Sequence, residues 1–177
     1  MLAEKGIDYR VVVVNLNKRP DWMIELNPPS GRVPVLKKAN KQILPESWEI
    51  MRYLDETFPN PQLIPKLDKD RMLIDVWLKF FDDRVSHSYY RLKNGVTGAS
   101  ELKSVFVEID DGLGGNNFLA GSRCSLIDIA YIPWVIRAEL LLGVSVRDLK
   151  NLSGWLDRLE ERDSVKDEIM VVRSLVA

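Results

Sequence analysis

Hydrophobic positions follow two regimes along this chain. Up to about residue 58 they sit in short runs broken by turns, and beyond about residue 68 they recur every three or four residues, the period of a helix face. Met1 to Gly6 are good helix formers closed by a glycine, which predicts the last turn of a helix with a left-handed stop. Tyr9-Arg10-Val11-Val12-Val13-Val14 is β-branched, too short for a helix, and apolar as buried parallel strands are. Asp21 to Leu26 predicts a short helix ended by Asn27-Pro28-Pro29. Strands are expected at Val33 to Lys37 and Gln42 to Leu44, joined by the polar turn Lys38 to Lys41, with a helix from about Ser47 to Thr57.

Phe58 to Lys66 holds three prolines and no periodicity, and reads as an interdomain linker. Ile74, Leu78, Phe81, Val85 and Leu92 then mark one apolar face of a long helix, while Trp77 and Phe80 lie off that stripe and point to a second covered face. Glu101 to Leu113, Ser125 to Leu142 and Leu152 to Arg162 are expected helices. The second of them is apolar nearly all round, as a central buried helix is, and Pro133 should kink it. The expected organisation is a small α/β domain over residues 1–58, a linker over 59–67, and an all-helical domain over 68–177.

Composition narrows the function classes. Of 177 residues, 46% are hydrophobic and 29% charged, enough to bury a core. A net charge of -1 argues against nucleic acid, because phosphate binding wants clustered Lys and Arg. No apolar run approaches the roughly 20 residues of a membrane span, and no signal-peptide pattern is present. One cysteine excludes an internal disulfide framework and suits a reducing, cytoplasmic compartment. One His and one Cys argue against a protein-only metal site.

Two short motifs carry candidate chemistry. Val33-Pro34 opens a strand, where a proline is tolerated because it donates nothing to the ladder. With a trans bond this is ordinary punctuation; with a cis bond the chain turns sharply and Val33 presents its N–H and C=O outward, so that an extended peptide can pair with it. Glu46-Ser47 stands at the start of the helix after the hairpin. Free N–H groups and the positive dipole end favour a carboxylate there, Ser47 Oγ adds a hydrogen bond, and Glu46 can pair with an ammonium. The plainer alternative is that Ser47 merely caps the helix. In combination the two motifs suit a peptide held by its backbone and by an α-amino-acid end.

At this constellation the chain resembles the glutathione transferases. NPPSGRVPVL (Asn27 to Leu36) is similar to that family's loop into its cis-proline strand, and LPESWEIMRYLDETFP (Leu44 to Pro59) to its strand, Glu-Ser pair and third helix. FLAGSRCSLIDIAYIPW (Phe118 to Trp134) resembles its buried-helix entry, with Ser125 and Asp128 at the spacing of a capping box, and WLDRLEERDSVK (Trp155 to Lys166) the helix after it. The resemblance implies an incomplete thioredoxin-like N-terminal domain followed by a C-terminal helical bundle. It implies that Val33 binds the cysteinyl backbone of glutathione with Pro34 as the cis-proline. Ser47 would bind the γ-glutamyl carboxylate, Glu46 would sit by the γ-glutamyl ammonium, and Arg32 would lie near the ligand. It also implies glutathione as co-substrate, transferred to or used to reduce small electrophiles, and a homodimer to which Trp77 and Phe80 contribute.

One departure stands out. Met1-Leu2-Ala3-Glu4-Lys5-Gly6 matches the end of that family's first helix, so the first strand and the Ser, Tyr or Cys that stabilises the glutathione thiolate are expected to lie upstream of a late start. No residue is therefore assigned a catalytic role; Tyr9 and Cys124 read as structural. Without that strand two apolar edges should face water, leaving a marginal sheet domain beside a well-folded helical one. YLDETFPNPQLIP (Tyr53 to Pro65), AEKG and ERDS (Glu161 to Ser164) are also similar to stringent starvation protein A, which implies an alternative: a non-catalytic module that binds RNA polymerase through Phe58 to Pro65.

Overall fold

Local chemistry sets the start of the chain. Ala3–Lys5 form one tight helical turn, and Gly6, at φ 60°, closes it by donating its N–H to the Ala3 carbonyl. The computed structural model describes residues 1–174, which divide into two compact units, Met1–Gln62 and the residues from Leu63 on.

In the first unit the valine run departs from expectation. Asp8 to Val14 has no backbone hydrogen-bonded partner among the described residues and forms no strand, and Tyr9, Val11, Val12 and Val13 are exposed. A strand is a relation between two segments, and the β-branched pattern specifies only one of them. Helix α1 (Asp21–Leu26) follows Pro20 and buries Met23. Strands β1 (Val35–Lys37) and β2 (Ile43–Pro45) pair antiparallel, with Val35 opposite Pro45, Leu36 opposite Leu44 and Lys37 opposite Ile43. Their hairpin closes through Lys38 N–H donating to the Gln42 carbonyl, 2.8 Å. Helix α2 (Ser47–Thr57) buries Ile50 and Leu54, and its last turn also carries the buried Asp55.

A buried ammonium ties the ends of this unit together. Lys5 Nζ donates to Asp55 Oδ1 and to the carbonyls of Phe58 and Pro61, each at 2.6 Å. Three bonds use all three ammonium protons, which is what permits a charge to be held away from water.

The second unit is helical. The long helix read from the sequence is three consecutive pieces: α3 (Asp68–Phe80), a π-helical turn (Phe81–Val85) and α4 (Ser86–Lys93). Trp77 proves to be part of this unit's own core rather than a contributor to an external face. Its Nε1–H donates to the Leu119 carbonyl at 2.8 Å, and its own carbonyl accepts from Tyr131 Oη–H at 2.6 Å. Helices α5 (Ala99–Leu113), α6 (Leu126–Leu142), α7 (Lys150–Glu160) and α8 (Asp163–Ser174) complete the bundle.

Helix α6 runs through the centre, with Leu126, Ile127, Tyr131, Val135 and Ala138 fully covered. Its start is fixed by the expected capping box, and the Asp128 carboxylate does more than cap. It accepts from Ser125 N–H (2.8 Å), Ser125 Oγ–H (2.7 Å), Leu119 N–H (2.9 Å) and Trp155 Nε1–H (2.7 Å), joining α6, α7 and the preceding loop at one buried point. No helix among the described residues is long and apolar enough to cross a membrane.

Candidate functional site

The β1–β2 register brings the two sequence motifs to one end of the hairpin. Val35 faces Pro45 in the last ladder pair, so Val33-Pro34, which lead into β1, and Glu46-Ser47, which follow β2, flank the same end of the hairpin. Four of the five expected residues thus border that end of the hairpin, and Arg32 precedes Val33 by one position.

The loop feeding Val33 is held from below. The buried side chain of Asn27 donates from Nδ2 to the Arg32 carbonyl at 3.0 Å, and the Asn27 carbonyl accepts from Gly31 N–H at 2.7 Å. Gly31 sits at φ 56°, where its missing side chain leaves room against Ile24. Arg19 adds a bond from Nη1 to the Ser30 carbonyl, 3.0 Å. Beyond these ties the Val33–Pro34 bond is cis, Val33 is exposed, and among the described residues neither its N–H nor its C=O pairs with another backbone group. The Arg32 side chain projects into solvent. Asn27, which the sequence marks only as the end of α1, is the residue that positions this edge. Its signal was an amide in a helix-stop position six residues before the motif.

The other half of the site is the start of α2. The first backbone bond of that helix runs from Ile50 N–H to the Glu46 carbonyl, and no side chain caps it. Among the described residues the N–H groups of Ser47, Trp48 and Glu49 therefore have no backbone partner, and the dipole gives that end a positive potential. Ser47 does not serve as the cap that the plainer reading assigned it: the capping position belongs to Glu46. Glu46 and Ser47 are both exposed. Glu46 also adopts φ 68° and ψ 121°, a conformation that residues with a side chain rarely occupy and that costs about 1–3 kcal/mol. The site thus offers a peptide-pairing edge at Val33, unpaired N–H donors for a carboxylate at Ser47–Glu49, and a carboxylate for an ammonium at Glu46.

Comparisons with known proteins identify the family. Residues 1–62 match the family model described as glutathione S-transferase, N-terminal domain, and residues 76–158 the one described as glutathione S-transferase, C-terminal domain. The chain is 30% identical to glutathione S-transferase L3 of Arabidopsis thaliana, over 97% of this chain and 76% of that protein. It is 31% identical to mouse (Mus musculus) glutathione S-transferase omega-1, over 91% of this chain and 70% of that protein. The crystal structure of a rice glutathione S-transferase in complex with glutathione superposes with a TM-score of 0.81 at 25% identity, covering 99% of this chain and 88% of that one. None of these relatives supports the RNA polymerase alternative.

Proposed function

The chain belongs to the glutathione S-transferase family, and from that premise we propose that residues 1–58 grip glutathione as a co-substrate while residues 68–177, reached through a linker at 59–67, form the helical domain. The fold is that family's: a thioredoxin-like N-terminal part and a helical C-terminal part. Val33 pairs with the cysteinyl backbone of the tripeptide, beside Pro34. The γ-glutamyl carboxylate lies on the N–H groups at the start of α2 with Ser47 Oγ, and its ammonium lies against Glu46, with Arg32 near the ligand. The tripeptide is then transferred to, or used to reduce, a small electrophile. These five residues are assigned to binding and none of them to activation of the thiol. Met72, Leu73 and Val76, exposed on α3, support a homodimer formed through that helix, and the single cysteine suits the cytoplasm.

The observation that carries this reading is that two backbone surfaces without backbone partners among the described residues, at Val33 and at Ser47–Glu49, flank one end of the hairpin. Calorimetric titration with reduced glutathione tests it. Binding is expected to the wild-type chain and to weaken about tenfold in Ser47→Ala, since a hydrogen bond to a charged group contributes about 1.5 kcal/mol. Absence of binding to the wild type, or equal affinity in the variant, defeats the assignment.

A further inference from the structure

Helices α3 and α4 are separated where nothing in their own sequence compels a break. Residues 68–93 contain neither proline nor glycine, the usual sequence causes, yet the π-helical turn Phe81–Val85 stands between them. At its end Ser86 N–H donates to the Phe81 carbonyl, five residues back. Such a turn holds one residue more than a regular helix does, and π-turns occur frequently at functional sites. Wound as a regular helix, the same residues would turn α4 by roughly 100° and advance it by roughly 1.5 Å, the step of one residue. Each residue of α4 would then stand where its successor now stands. Tyr89, 5% exposed, would take the place of Tyr90, 49% exposed, and Ser88 would take the covered place of Tyr89.

The sequence tolerates that slip because it is written in doublets: Phe80-Phe81, Asp82-Asp83 and Tyr89-Tyr90. A tyrosine meets the Trp134 ring from the exposed position in either register, and two exposed carboxylates stand within the turn. The registers are not equal. Arg84 would come toward the place of Val85, 1% exposed, and His87 to that of Ser88, 2% exposed, so the π register is the populated one. Helix α6 holds it there. Tyr131 Oη–H donates to the Trp77 carbonyl just before the turn, at 2.6 Å. The Tyr131 ring meets Trp77 at 6.0 Å and Phe81 at 5.3 Å, and Trp134 meets Phe81, Tyr89 and Tyr90 on the far side of the turn.

We propose that residues 81–85 are a register switch: α4 turns by one residue between a populated π form and a minor α form, and the Tyr131 hydroxyl is the latch of the π form. The switch exchanges the tyrosine that α4 presents, Tyr90 in the first form and Tyr89 in the second. Helix register shifts run on the microsecond-to-millisecond scale, so both forms are sampled during any slower event. The device lies within the helical unit alone and does not depend on whether glutathione binds.

Thiol labelling, read position by position by mass spectrometry, tests the proposal in Tyr89→Cys and in Ser88→Cys. Each is made alone, with Tyr131→Phe, and with deletion of Asp83; Cys124 serves as the internal reference. Position 89 is covered in the π form and exposed in the α form, whereas position 88 is covered in both. The thiol at position 89 is expected to react about tenfold or more faster than the one at position 88, because its rate follows the population of the form that exposes it. Losing the latch in Tyr131→Phe should raise the rate at position 89 about fivefold and leave position 88 unchanged. Deleting the exposed Asp83 removes the extra residue and keeps α4 facing as it does now, so that chain should fold and label at position 89 as slowly as at position 88. Amide exchange reads the same switch with no new thiol: the amides of 81–86 should exchange faster in Tyr131→Phe while those of Trp77 and Leu78 keep their rate. Equal labelling at positions 88 and 89, or a parallel rise of both in Tyr131→Phe, would mean local unfolding and overturn the proposal. So would protection lost along the whole of α3 and α4, or a chain that cannot fold without Asp83.

Discussion

The two units of this protein are stabilised by different means. Among the described residues the first unit buries only three apolar side chains, Met23, Ile50 and Leu54, while the helical unit holds a continuous core from Leu63 and Ile74 to Val172. In place of packing the first unit relies on one buried ion pair, and in place of a sheet it has a hairpin of three residues per strand. The helical unit also has a buried charge, Asp128, but surrounds it with Leu119, Leu126, Ile127 and Trp155, all covered. At about 25 cal/mol per Å² of buried apolar surface, a unit with so few covered side chains has little reserve against the loss of a single contact. The candidate site sits on the unit with less reserve. Its strained Glu46 and its uncapped helix start are tolerated on a scaffold fixed by polar ties, and those ties are where the contrast is most open to test.

The largest effect is expected from Lys5→Met. The lysine side chain is fully covered, and Asp55 beside it is nearly so. Removing the ammonium leaves a buried carboxylate without that cation and the Phe58 and Pro61 carbonyls without that donor, a change that costs about 3–5 kcal/mol in buried pairs. With three covered apolar residues to set against it, the first unit should lose its structure while the helical one keeps its own. Limited proteolysis read by mass spectrometry should place the new cleavages within residues 1–62 and leave the fragment from Leu63 on intact. Equal loss of both units would show that their stabilities are not separable in this way.

Gly112→Ala probes the other side of the contrast, with a smaller expected effect. A Cβ at Gly112 would meet Trp77 Cη2 at 2.6 Å and Cζ2 at 2.9 Å. Trp77 cannot simply turn aside, because Nε1 is bonded to Leu119 and its ring stands edge-to-face against Tyr131. Overpacking costs about 1–3 kcal/mol, partly offset by the better helix propensity of alanine, for a net loss of about 1–2 kcal/mol. Urea unfolding followed by circular dichroism at the helix band should show a lower midpoint with an unchanged slope. The helical unit has enough core to remain folded, which is the sense in which the two units differ.

Sequence and structure diverge along the same line. Helices bounded by local punctuation were legible to the residue: α1 between Pro20 and Asn27-Pro28-Pro29, and α2 from Ser47 to Thr57. The capping box of α6 was legible because its two members stand three residues apart. The first strand was read as starting two positions early and the second one position early throughout, since the register is set by the hairpin as a whole. Features that depend on distant partners were not legible. The bond from Lys5 to Asp55 spans fifty residues, and the turning of Trp77 inward depends on Leu119. Periodicity did not separate the π-helical turn at Phe81–Val85 from a regular helix, and it did not give α8. At the site, the Val33 and Glu46-Ser47 motifs were visible because a family pattern joins them. The support from Asn27 to the Arg32 carbonyl was not, because an asparagine before two prolines reads first as a stop.

The smallest effect, and the sharpest test of how the helical unit holds its charge, is in the pH dependence of Asp128. Burial pushes this carboxyl above its ordinary value of 3.8, opposed by the hydrogen bonds from Ser125, Leu119 and Trp155. The exposed Asp148 and Asp163 are shifted the other way, held below that value by hydrogen bonds from Lys103 and Lys166. The signs differ accordingly. A carboxyl lowered in the folded state contributes stability above 3.8 that is lost as pH falls through its folded value. A carboxyl raised in the folded state contributes most below 3.8, and that contribution is lost as pH rises through its folded value. The stability difference between wild type and Asp128→Asn, from urea unfolding at about pH 3 to 7, should therefore fall as pH rises and then level off. The surface pairs cancel in that difference. A difference that instead grows with pH would mean that the four donors around Asp128 outweigh its burial, and that the helical unit, like the first, is held by a satisfied charge.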